Sequence, residues 1–383
     1  MDKKNILYVI SQVETSPTIA LEILGIRKGS YNPICCFLLN EETTLEQNLK
    51  DAGVKCVRIP YSGKLSSLMV FIKLCRLIQK HKPEIVHSHL LWAGMFGLSA
   101  ARLCGVPQRI ITRHYADMHF RYYPKGVWYD WACNKLATKI VAISTNIRNT
   151  LINLENVSPD KIKVIEYGFN FSPYSNINDK RVQLVSNKYN SDGQTPVIGV
   201  ISRFISLKGI QYIIPAFQRV LDSHPDSLLV MASAEGDFED ELHKLLKTIP
   251  EKNYTCIKFE KDIIALYKMF DVFIHVPVSS SVEGFGQVYI ESILCGIPSV
   301  FTLSGIANDF IKHGENAYVV DYENTEEIYD GIIACLNEFI DKEKIRSSQT
   351  YIRNQFDQEN TINKLLDLYT EPLELKSKKL KNS

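Results

Sequence analysis

The feature that most limits the fold of this chain is an alternation of short apolar runs with amphipathic segments, which occurs twice. In the first half the apolar runs begin at residues 5–10 and end at residues 163–165, and helix patterns separate them. Strands that alternate with helices predict a parallel sheet covered by helices on both faces. Residues 170–195, rich in Asn, Ser and Asp, interrupt this rhythm, and it restarts at residues 196–202. We therefore predict an α/β chain with two doubly wound domains.

Length and composition agree with this architecture and argue against other classes of protein. At 383 residues the chain is longer than most single domains. Its 44 Lys and Arg residues balance 43 Asp and Glu residues, which argues against a general nucleic-acid-binding protein. The nine dispersed cysteines are typical of reduced thiols in the cytosol. The apolar run 6–10 is too short for a signal peptide, and no run reaches the roughly 18 residues of a membrane span.

Residues 271–300 form the stretch with the most chemical content, DVFIHVPVSSSVEGFGQVYIESILCGIPSV. Its pattern predicts a buried strand, a Gly-rich loop, a helix and a second strand. Gly284 and Gly286 allow close approach of a ligand to the backbone, and the helix start offers N–H groups to a phosphate. Glu283 and Glu291 stand on either side of that helix start. The alternative interpretation is an ordinary βα turn with a solvated Glu.

A second loop with cations follows the first predicted strand of the second half. In residues 199–209, GVISRFISLKG, Arg203 and Lys208 flank a turn at the carboxyl end of that strand. Two cations at such a place suit a diphosphate, because they offset the charge of a leaving group. The alternative is a lysine at a helix start and a solvated arginine.

The string EGFGQVYIE, followed by the turn CGIP, resembles the E-x7-E signature of the retaining glycosyltransferases of family 4, which have the GT-B fold. The resemblance implies that Glu283 contacts the sugar of a nucleotide-sugar and that Glu291 contacts the ribose. It implies that Arg203 and Lys208, in an Arg-x4-Lys-Gly element, bind the donor diphosphate. The start of the helix at Gly284, Phe285 and Gly286 would assist them.

The resemblance also implies a division of the chain. Residues 1–170 would form a Rossmann-like domain on the acceptor side, and residues 195–355 a Rossmann-like domain that binds the nucleotide-sugar. The two would face each other across a cleft. Residues 356–383 would cross back to the first domain.

Three histidines end predicted strands of the first half. His87 and His89 share one face of a strand, but no third ligand stands at metal-ligand spacing, so we expect no zinc site. The resemblance implies that His114 contacts the donor sugar, with His89 as the second candidate. For His89 the favoured interpretation is a packed, hydrogen-bonded histidine.

Two loops depart from the family pattern. Residues 11–17, SQVETSP, replace a Gly-Gly loop near the donor phosphates and the acceptor, although Thr15 and Ser16 offer hydroxyls there. In residues 304–310, SGIANDF, Ser304 replaces the first Gly of a Gly-Gly-x-x-Glu element, and Asn308 stands in place of its Glu.

Residues 114–131, HYADMHFRYYPKGVWYDW, are rich in aromatic and cationic side chains. One interpretation is a lid that binds an acceptor or contacts a membrane surface. The other is an amphipathic helix that packs Val127, Trp128 and Trp131 against the core. Residues 376–381 form a basic tail. The favoured interpretation is that its side chains are solvated, and the alternative is that they bind a surface.

The predicted function is that of a retaining glycosyltransferase, a hexosyl- or N-acetylhexosaminyltransferase. The donor would be a UDP-sugar, with GDP-mannose next. The acceptor would be a saccharide or a lipid-linked saccharide in the synthesis of cell-surface polysaccharide or glycoconjugate. We expect no metal or other cofactor, no nucleic-acid partner, and a cytoplasmic location at the inner face of the membrane. Two alternatives remain, a nucleotide-sugar epimerase of the same fold and a catalytically silent partner in glycan assembly.

Overall fold

The computed structural model describes residues 3–175 and 177–372. The basic tail predicted at residues 376–381, and the end of the segment 356–383, lie outside the described residues.

The first half forms one parallel sheet with helices on both faces, as the alternation predicts. The strand order is β3-β2-β1-β4-β5-β6-β7. In chain order the elements are β1 (Lys4–Ser11), α1 (Pro17–Lys28), β2 (Tyr31–Leu38), α2 (Thr44–Asp51), β3 (Lys55–Arg58), α3 (Ser67–His81), β4 (Ile85–His89), α4 (Leu91–Leu103), β5 (Gln108–Arg113), α5 (Met118–Tyr122), α6 (Pro124–Leu136), β6 (Lys139–Ala142), α7 (Thr145–Asn153) and β7 (Ile162–Val164).

The second half repeats this plan with a smaller parallel sheet, in the order β10-β9-β8-β11-β12-β13. Its elements are α8 (Asp179–Tyr189), β8 (Val197–Ile201), α9 (Ile210–Ser223), β9 (Leu228–Ala232), α10 (Glu239–Leu246), β10 (Tyr254–Ile257), α11 (Ile263–Lys268), β11 (Val272–His275), α12 (Gln287–Leu294), β12 (Ser299–Phe301), α13 (Ala307–Phe310), β13 (Tyr318–Val319), α14 (Thr325–Leu336), α15 (Lys342–Gln355) and α16 (Gln358–Thr370).

Each sheet reverses its strand order once, between β1 and β4 in the first sheet and between β8 and β11 in the second. In an open parallel sheet, the carboxyl ends of the strands at such a reversal leave a crevice in which ligands bind. Four loops therefore determine where a ligand fits: the loops that follow β1 and β4, and those that follow β8 and β11.

The last two helices pack on different sheets. On α15, the side chain of Gln349 donates to the carbonyl of Ile293 on α12 at 2.9 Å. By contrast, α16 lies against α1 of the first sheet, where Gly25 leaves room for Ile362 because a Cβ there would lie 2.0 Å from its Cδ1. The Tyr369 hydroxyl of α16 lies 2.9 Å from the Tyr8 hydroxyl of β1. The chain thus returns to the first sheet after it completes the second.

The two halves contact each other at the loop after β11. Phe285 is buried, and its ring lies 4.9 Å from Tyr167, 6.0 Å from Phe169 and 6.0 Å from Phe356, measured between centroids. The Ser144 hydroxyl, at the start of α7, donates to the carbonyl of Gly284 at 2.7 Å. The Gly-rich loop is therefore packed against the first half of the chain.

Candidate active site

The loop after β11 ends at a glycine turn from which α12 begins. Gly286 has a φ of +88°, a conformation that L side chains rarely adopt. Gly284 packs so closely on the first half that a Cβ would lie 2.2 Å from the carbonyl oxygen of His114. The first N–H groups of α12 have no partners one turn earlier, as at any helix start. The glycines thus bring Glu283 and the positive end of α12 to the boundary between the two halves.

Glu283 is held by two donors on one carboxylate oxygen. Lys208 forms an ion pair with its Oε1, and the Nε2 atom of His275 lies 2.9 Å from the same oxygen. Burial alone would raise the pKa of this carboxyl, but Lys208 and His275 outweigh it and hold the pKa well below its ordinary value. Glu283 is therefore ionised.

The loop after β8 provides the cation. Gly209, with a φ of +74°, lies so close to β11 that a Cβ would be 2.0 Å from the carbonyl oxygen of Val276. This close approach brings Lys208 next to Glu283. Arg203, two residues after the end of β8, is exposed to solvent at the same end of the sheet. The two predicted diphosphate ligands therefore stand at the second sheet's strand reversal.

Glu291 lies one turn inside α12 and is partly buried. The Tyr267 hydroxyl of α11 donates to its Oε2 at 3.0 Å. Burial raises the pKa of the Glu291 carboxyl, although the hydrogen bond from Tyr267 opposes this shift. Its environment therefore differs from that of Glu283, since its neighbour is a neutral phenol in place of an ammonium group.

Residues 304–310, the second of the two loops that depart from the family pattern, contact Glu283 through Ser304. Ser304 is buried, and its hydroxyl accepts a hydrogen bond from the backbone N–H of Glu283 at 3.0 Å. Gly305 packs against Phe285, where a Cβ would lie 2.5 Å from the carbonyl oxygen. Asn308 donates to the carbonyl of Gly305 at 3.3 Å. The serine in place of glycine therefore gives the loop of Glu283 a hydrogen bond.

His114 stands at the carboxyl end of β5, as expected, but both of its ring nitrogens have partners inside the first half. Its Nδ1 contacts the Tyr167 hydroxyl, and its Nε2 lies 3.2 Å from Nδ1 of His89. Burial lowers the pKa of His114 to about 4, so the ring is neutral. His89 is buried in this network, in agreement with the interpretation of a packed histidine.

The structure corrects the expectation that His87 and His89 lack a third metal-ligating group. Glu22, on α1, brings its Oε1 to 3.6 Å from Nδ1 of His87 and 3.7 Å from Nε2 of His89. Sequence spacing could not show this, because helix packing makes the contact. The nitrogens of His87 are both engaged, at 2.7 Å from the Tyr369 hydroxyl and 2.7 Å from the Thr112 hydroxyl. Burial raises the pKa of Glu22 to about 8.

The loop that replaces the Gly-Gly element forms the start of α1. The Ser16 hydroxyl accepts from the backbone N–H of Ile19 at 3.3 Å and so caps the helix, whereas Thr15 is exposed. The loop reverses without glycine because Gln12 adopts a φ of +56°. It borders an open cavity of about 320 Å³. The cavity is lined by Gln12, Val13, Glu14, Thr15, Ser16, Ile19, Leu90, His114 and Tyr167.

The aromatic segment is anchored by a buried charge network and is exposed on its outer face. Arg113 forms ion pairs with Asp130 at 2.5 Å and with Glu155, and all three are buried. Trp128 and Trp131 are 74% and 53% exposed. The interpretation in which these two tryptophans pack in the core is therefore wrong, because the buried face of α6 belongs to other residues. Those residues are Gly126, Asp130, Cys133 and Asn134.

The apolar exposure on α6 continues on α3. A chain of rings joins α6 to the segment before α3, with Trp92 of α4 lying 5.8 Å from Tyr61 and 5.3 Å from Tyr129 between centroids. We call the combined area the basic apolar surface. Its exposed apolar residues are Leu65, Leu68, Met69, Ile72, Tyr122, Tyr123, Trp128 and Trp131. Its exposed cations are Lys73, Arg76, Arg121, Lys125 and Lys135.

Across residues 3–175 and 177–372, the structure contains no helix with both the length and the hydropathy of a membrane span.

Two family models match the chain in succession. Residues 35–172 match Glycosyltransferase Family 4, and residues 182–351 match Glycosyl transferases group 1. The capsular polysaccharide biosynthesis glycosyltransferase CapM of Staphylococcus aureus is 27% identical over 315 residues, 79% of this chain and 81% of that protein. The UDP-Gal:alpha-D-GlcNAc-diphosphoundecaprenol alpha-1,3-galactosyltransferase of Escherichia coli is 24% identical over 376 residues, 94% of each chain.

Solved structures share the fold over almost the whole chain. The structure of Anabaena HepE in complex with UDP-glucose superposes with a TM-score of 0.82 at 17% identity, covering 95% of this chain and 98% of that one. A glycosyltransferase from Rickettsia africae superposes with a TM-score of 0.79 at 21% identity, covering 96% and 98%. The two facing sheets, the Glu283 loop and these matches lead to one conclusion: the chain belongs to glycosyltransferase family 4 and is a glycosyltransferase enzyme with the GT-B fold.

Proposed function

We propose that this enzyme transfers a sugar from a UDP-sugar, with retention of configuration, to a saccharide or lipid-linked saccharide. The observation that carries the proposal is the ionised Glu283, held by Lys208 and His275 where the two halves of the chain meet. A carboxylate beside an ammonium group provides separate partners for the sugar hydroxyls and for the diphosphate of one donor molecule.

In this proposal the donor diphosphate lies between the loop after β8 and the start of α12. Arg203 and Lys208 neutralise its charge, and the N–H groups at the helix start, from Gly284 through Phe285 to Gly286, bind its oxygens. These groups stabilise the negative charge that develops on the leaving nucleotide, so the transfer needs no metal ion.

The proposal assigns the nucleoside to Glu291, whose carboxylate accepts hydrogen bonds from the ribose hydroxyls beside Tyr267. We favour UDP, because HepE is described with UDP and UDP-glucose and the Escherichia coli relative uses UDP-Gal. GDP-mannose is the next candidate. The sugar would be a hexose or an N-acetylhexosamine, and His114 would border it from the first half.

Retention follows from a front-face displacement in which the leaving phosphate accepts the proton of the acceptor hydroxyl. Glu283 is a poor covalent nucleophile, because Lys208 and His275 stabilise its negative charge and lower its pKa. The Escherichia coli relative forms an alpha linkage from UDP-Gal, itself an α-glycoside, which supports retention in the family.

The acceptor would enter from the loop of residues 11–17. Thr15 and Ser16 lie on the cavity that also includes His114, so their hydroxyls could orient an acceptor or a phosphate. The Escherichia coli relative acts on a diphosphoundecaprenol-linked saccharide and CapM acts in capsular polysaccharide synthesis. By analogy we assign this enzyme to cell-surface polysaccharide or glycoconjugate synthesis in the cytoplasm.

A lipid-linked acceptor requires contact with a membrane, and we propose that the basic apolar surface provides it. Leu65 and Leu68 are 102% and 70% exposed on one face of α3 and the segment before it. Helices α3 and α4 contain no acidic residue, and the acidic residue of α6, Asp130, is buried. The exposed charge of these helices is therefore positive, which suits an anionic bilayer.

Flotation with vesicles tests this contact. We expect binding to vesicles that contain phosphatidylglycerol, and about ten-fold weaker binding of a Leu68→Ser/Trp128→Ser double variant. Phe259→Ser is the matched control, because Phe259 is 79% exposed on the second half. Equal binding to neutral vesicles, or no binding, would refute a role of this surface at anionic membranes.

A panel of donors tests the enzymatic proposal. The protein is incubated with UDP-sugars and GDP-sugars, with and without a lipid-linked saccharide, and nucleotide release is measured. We expect release from one UDP-sugar that rises when acceptor is added. Nucleotide release that does not change when acceptor is added would favour an epimerase or hydrolase. Failure to bind any nucleotide would favour a catalytically silent partner in glycan assembly.

A further inference from the structure

We propose that His275 is a positioning residue that holds Glu283 toward the donor sugar when Lys208 moves to the diphosphate. The inference rests on the proposed function, in which the same lysine serves the leaving group. Sequence patterns give no sign of this role, because His275 ends a buried strand and reads as one more core position.

The ring of His275 is fixed by its surroundings. The side chain is 2% exposed, and it packs edge-on against Tyr289 with 5.0 Å between ring centroids. Its Nε2 points at Oε1 of Glu283 at 2.9 Å. Tyr289 is fully buried, and its hydroxyl donates to the carbonyl of Thr302 at 2.9 Å. Tyr289 therefore holds the His275 ring in place behind the loop that contains Glu283.

The surroundings of the two ring nitrogens of His275 determine which nitrogen carries the proton. Burial, assisted by the nearby Lys208, lowers the pKa of the imidazole and outweighs Glu283, which raises it, so the ring is neutral and carries one proton. Its Nδ1 is buried and has no hydrogen-bond partner among residues 3–175 and 177–372. Glu283 is ionised and can only accept. The proton therefore lies on Nε2, where it is donated to the carboxylate.

The two donors to Glu283 differ in mobility. The ammonium group of Lys208 ends a flexible side chain on the loop after β8, whereas His275 is enclosed by the core of the second half. A bound diphosphate competes with Glu283 for Lys208, because both are anions. When the lysine turns to the diphosphate, His275 still fixes the Glu283 carboxylate in the geometry that the sugar hydroxyls require.

Two substitutions of one residue test this role. His275→Gln keeps an N–H donor near the position of Nε2, and His275→Leu removes it. We expect His275→Leu to lower kcat about 10- to 100-fold with UDP affinity within about two-fold of wild type, and His275→Gln to restore most of the loss. His243→Leu, on exposed α10, is the control.

Loss of UDP binding in His275→Leu, or no rescue by glutamine, would show a structural role and overturn the inference. Nitrogen-15 NMR of the imidazole gives a readout that needs no turnover. We expect the Nε2–H tautomer at His275 in wild type and in the Lys208→Met variant, with or without UDP. An Nδ1–H tautomer would overturn the inference even if transfer is observed, and failure of the wild type to turn over any donor would count against the proposed function alone.

Discussion

Each half of the molecule has a largely buried glutamate beside a histidine at the point where its strand order reverses, yet Glu283 is ionised and Glu22 is neutral. In the second half, Glu283 contacts His275 and forms an ion pair with Lys208, and its pKa is lowered. In the first half, Glu22 lies among the imidazoles of His87 and His89, and its pKa is raised to about 8.

A cation contributes most to the difference. Burial penalises both carboxylates, but Glu283 also contacts the Lys208 ammonium group and the His275 ring, which together outweigh the penalty. The histidines beside Glu22 are neutral, because burial lowers the pKa of His87 and of His89. The glutamate of the second half is therefore charged, whereas Glu22 and the histidines around it are neutral.

The largest effect should come from removing the charge of Glu283. We expect Glu283→Gln to lower kcat/KM about 100- to 1,000-fold, because a fixed anion that orients the sugar is lost. Glu22→Gln is the matched control, since Glu22 is neutral already, and should keep activity within about three-fold. Steady-state UDP release checks both. Equal losses of kcat/KM in the two variants would contradict the difference in charge between Glu283 and Glu22.

Removing the cation should have the next largest effect. We expect Lys208→Met to lower kcat/KM about 100-fold and to weaken UDP binding about 10-fold, because the diphosphate loses a charged partner. Calorimetry with UDP and the release assay measure these changes. Lys188→Met, which removes an exposed ion pair with Glu260, serves as control and should leave UDP affinity unchanged. An unaltered UDP affinity in Lys208→Met would argue against the diphosphate site.

Glu291 extends the comparison to a third glutamate, whose hydrogen-bond donor is the Tyr267 phenol. We expect Glu291→Ala to weaken UDP binding about 10-fold through loss of hydrogen bonds to the ribose. Tyr267→Phe, which removes only the hydroxyl that donates to Glu291, should have a smaller effect. Calorimetric titration of both variants measures this, and unchanged affinity in Glu291→Ala would exclude the ribose role.

The pH dependence of the free energy of unfolding tests whether Glu22 is neutral in the folded protein. Because the folded pKa of Glu22 is about 8, above its unfolded value, the stability it contributes is fully present below the unfolded pKa and is lost as pH rises through about 8. The loss amounts to at most about 1.4 kcal/mol per pH unit. Denaturant unfolding of wild type and Glu22→Gln between pH 5 and pH 9 checks this. We expect a steeper fall in wild type, and identical profiles would contradict a neutral Glu22.

The sequence is most informative where contacts are local. Apolar periodicity predicts the strands and helices of both sheets, and the loop motifs predict that Lys208 and Glu283 share one end of a sheet. The boundaries of the domains stay a prediction. Helix α8 (Asp179–Tyr189) lies within the polar connecting segment that interrupts the pattern, and α5 has no clear periodic pattern.

Contacts between distant elements escape such patterns. Glu22 reaches His87 only because α1 packs over the carboxyl end of β4. Trp128 has the spacing of a core residue, but the buried Arg113–Asp130 pair fixes the opposite face of α6 inward. A buried charge pair can thus decide which side of a helix faces the core, and hydrophobic spacing alone does not reveal it.

The central claim is that the charged end of the second half binds a uridine diphosphate. Calorimetric titration of the wild-type protein with UDP, in the presence of a chelator, tests it most directly. We expect saturable binding of one UDP per chain that is retained in Glu22→Gln and weakened in Lys208→Met. No binding of UDP to the wild-type protein, or equal binding by Lys208→Met, would contradict the claim.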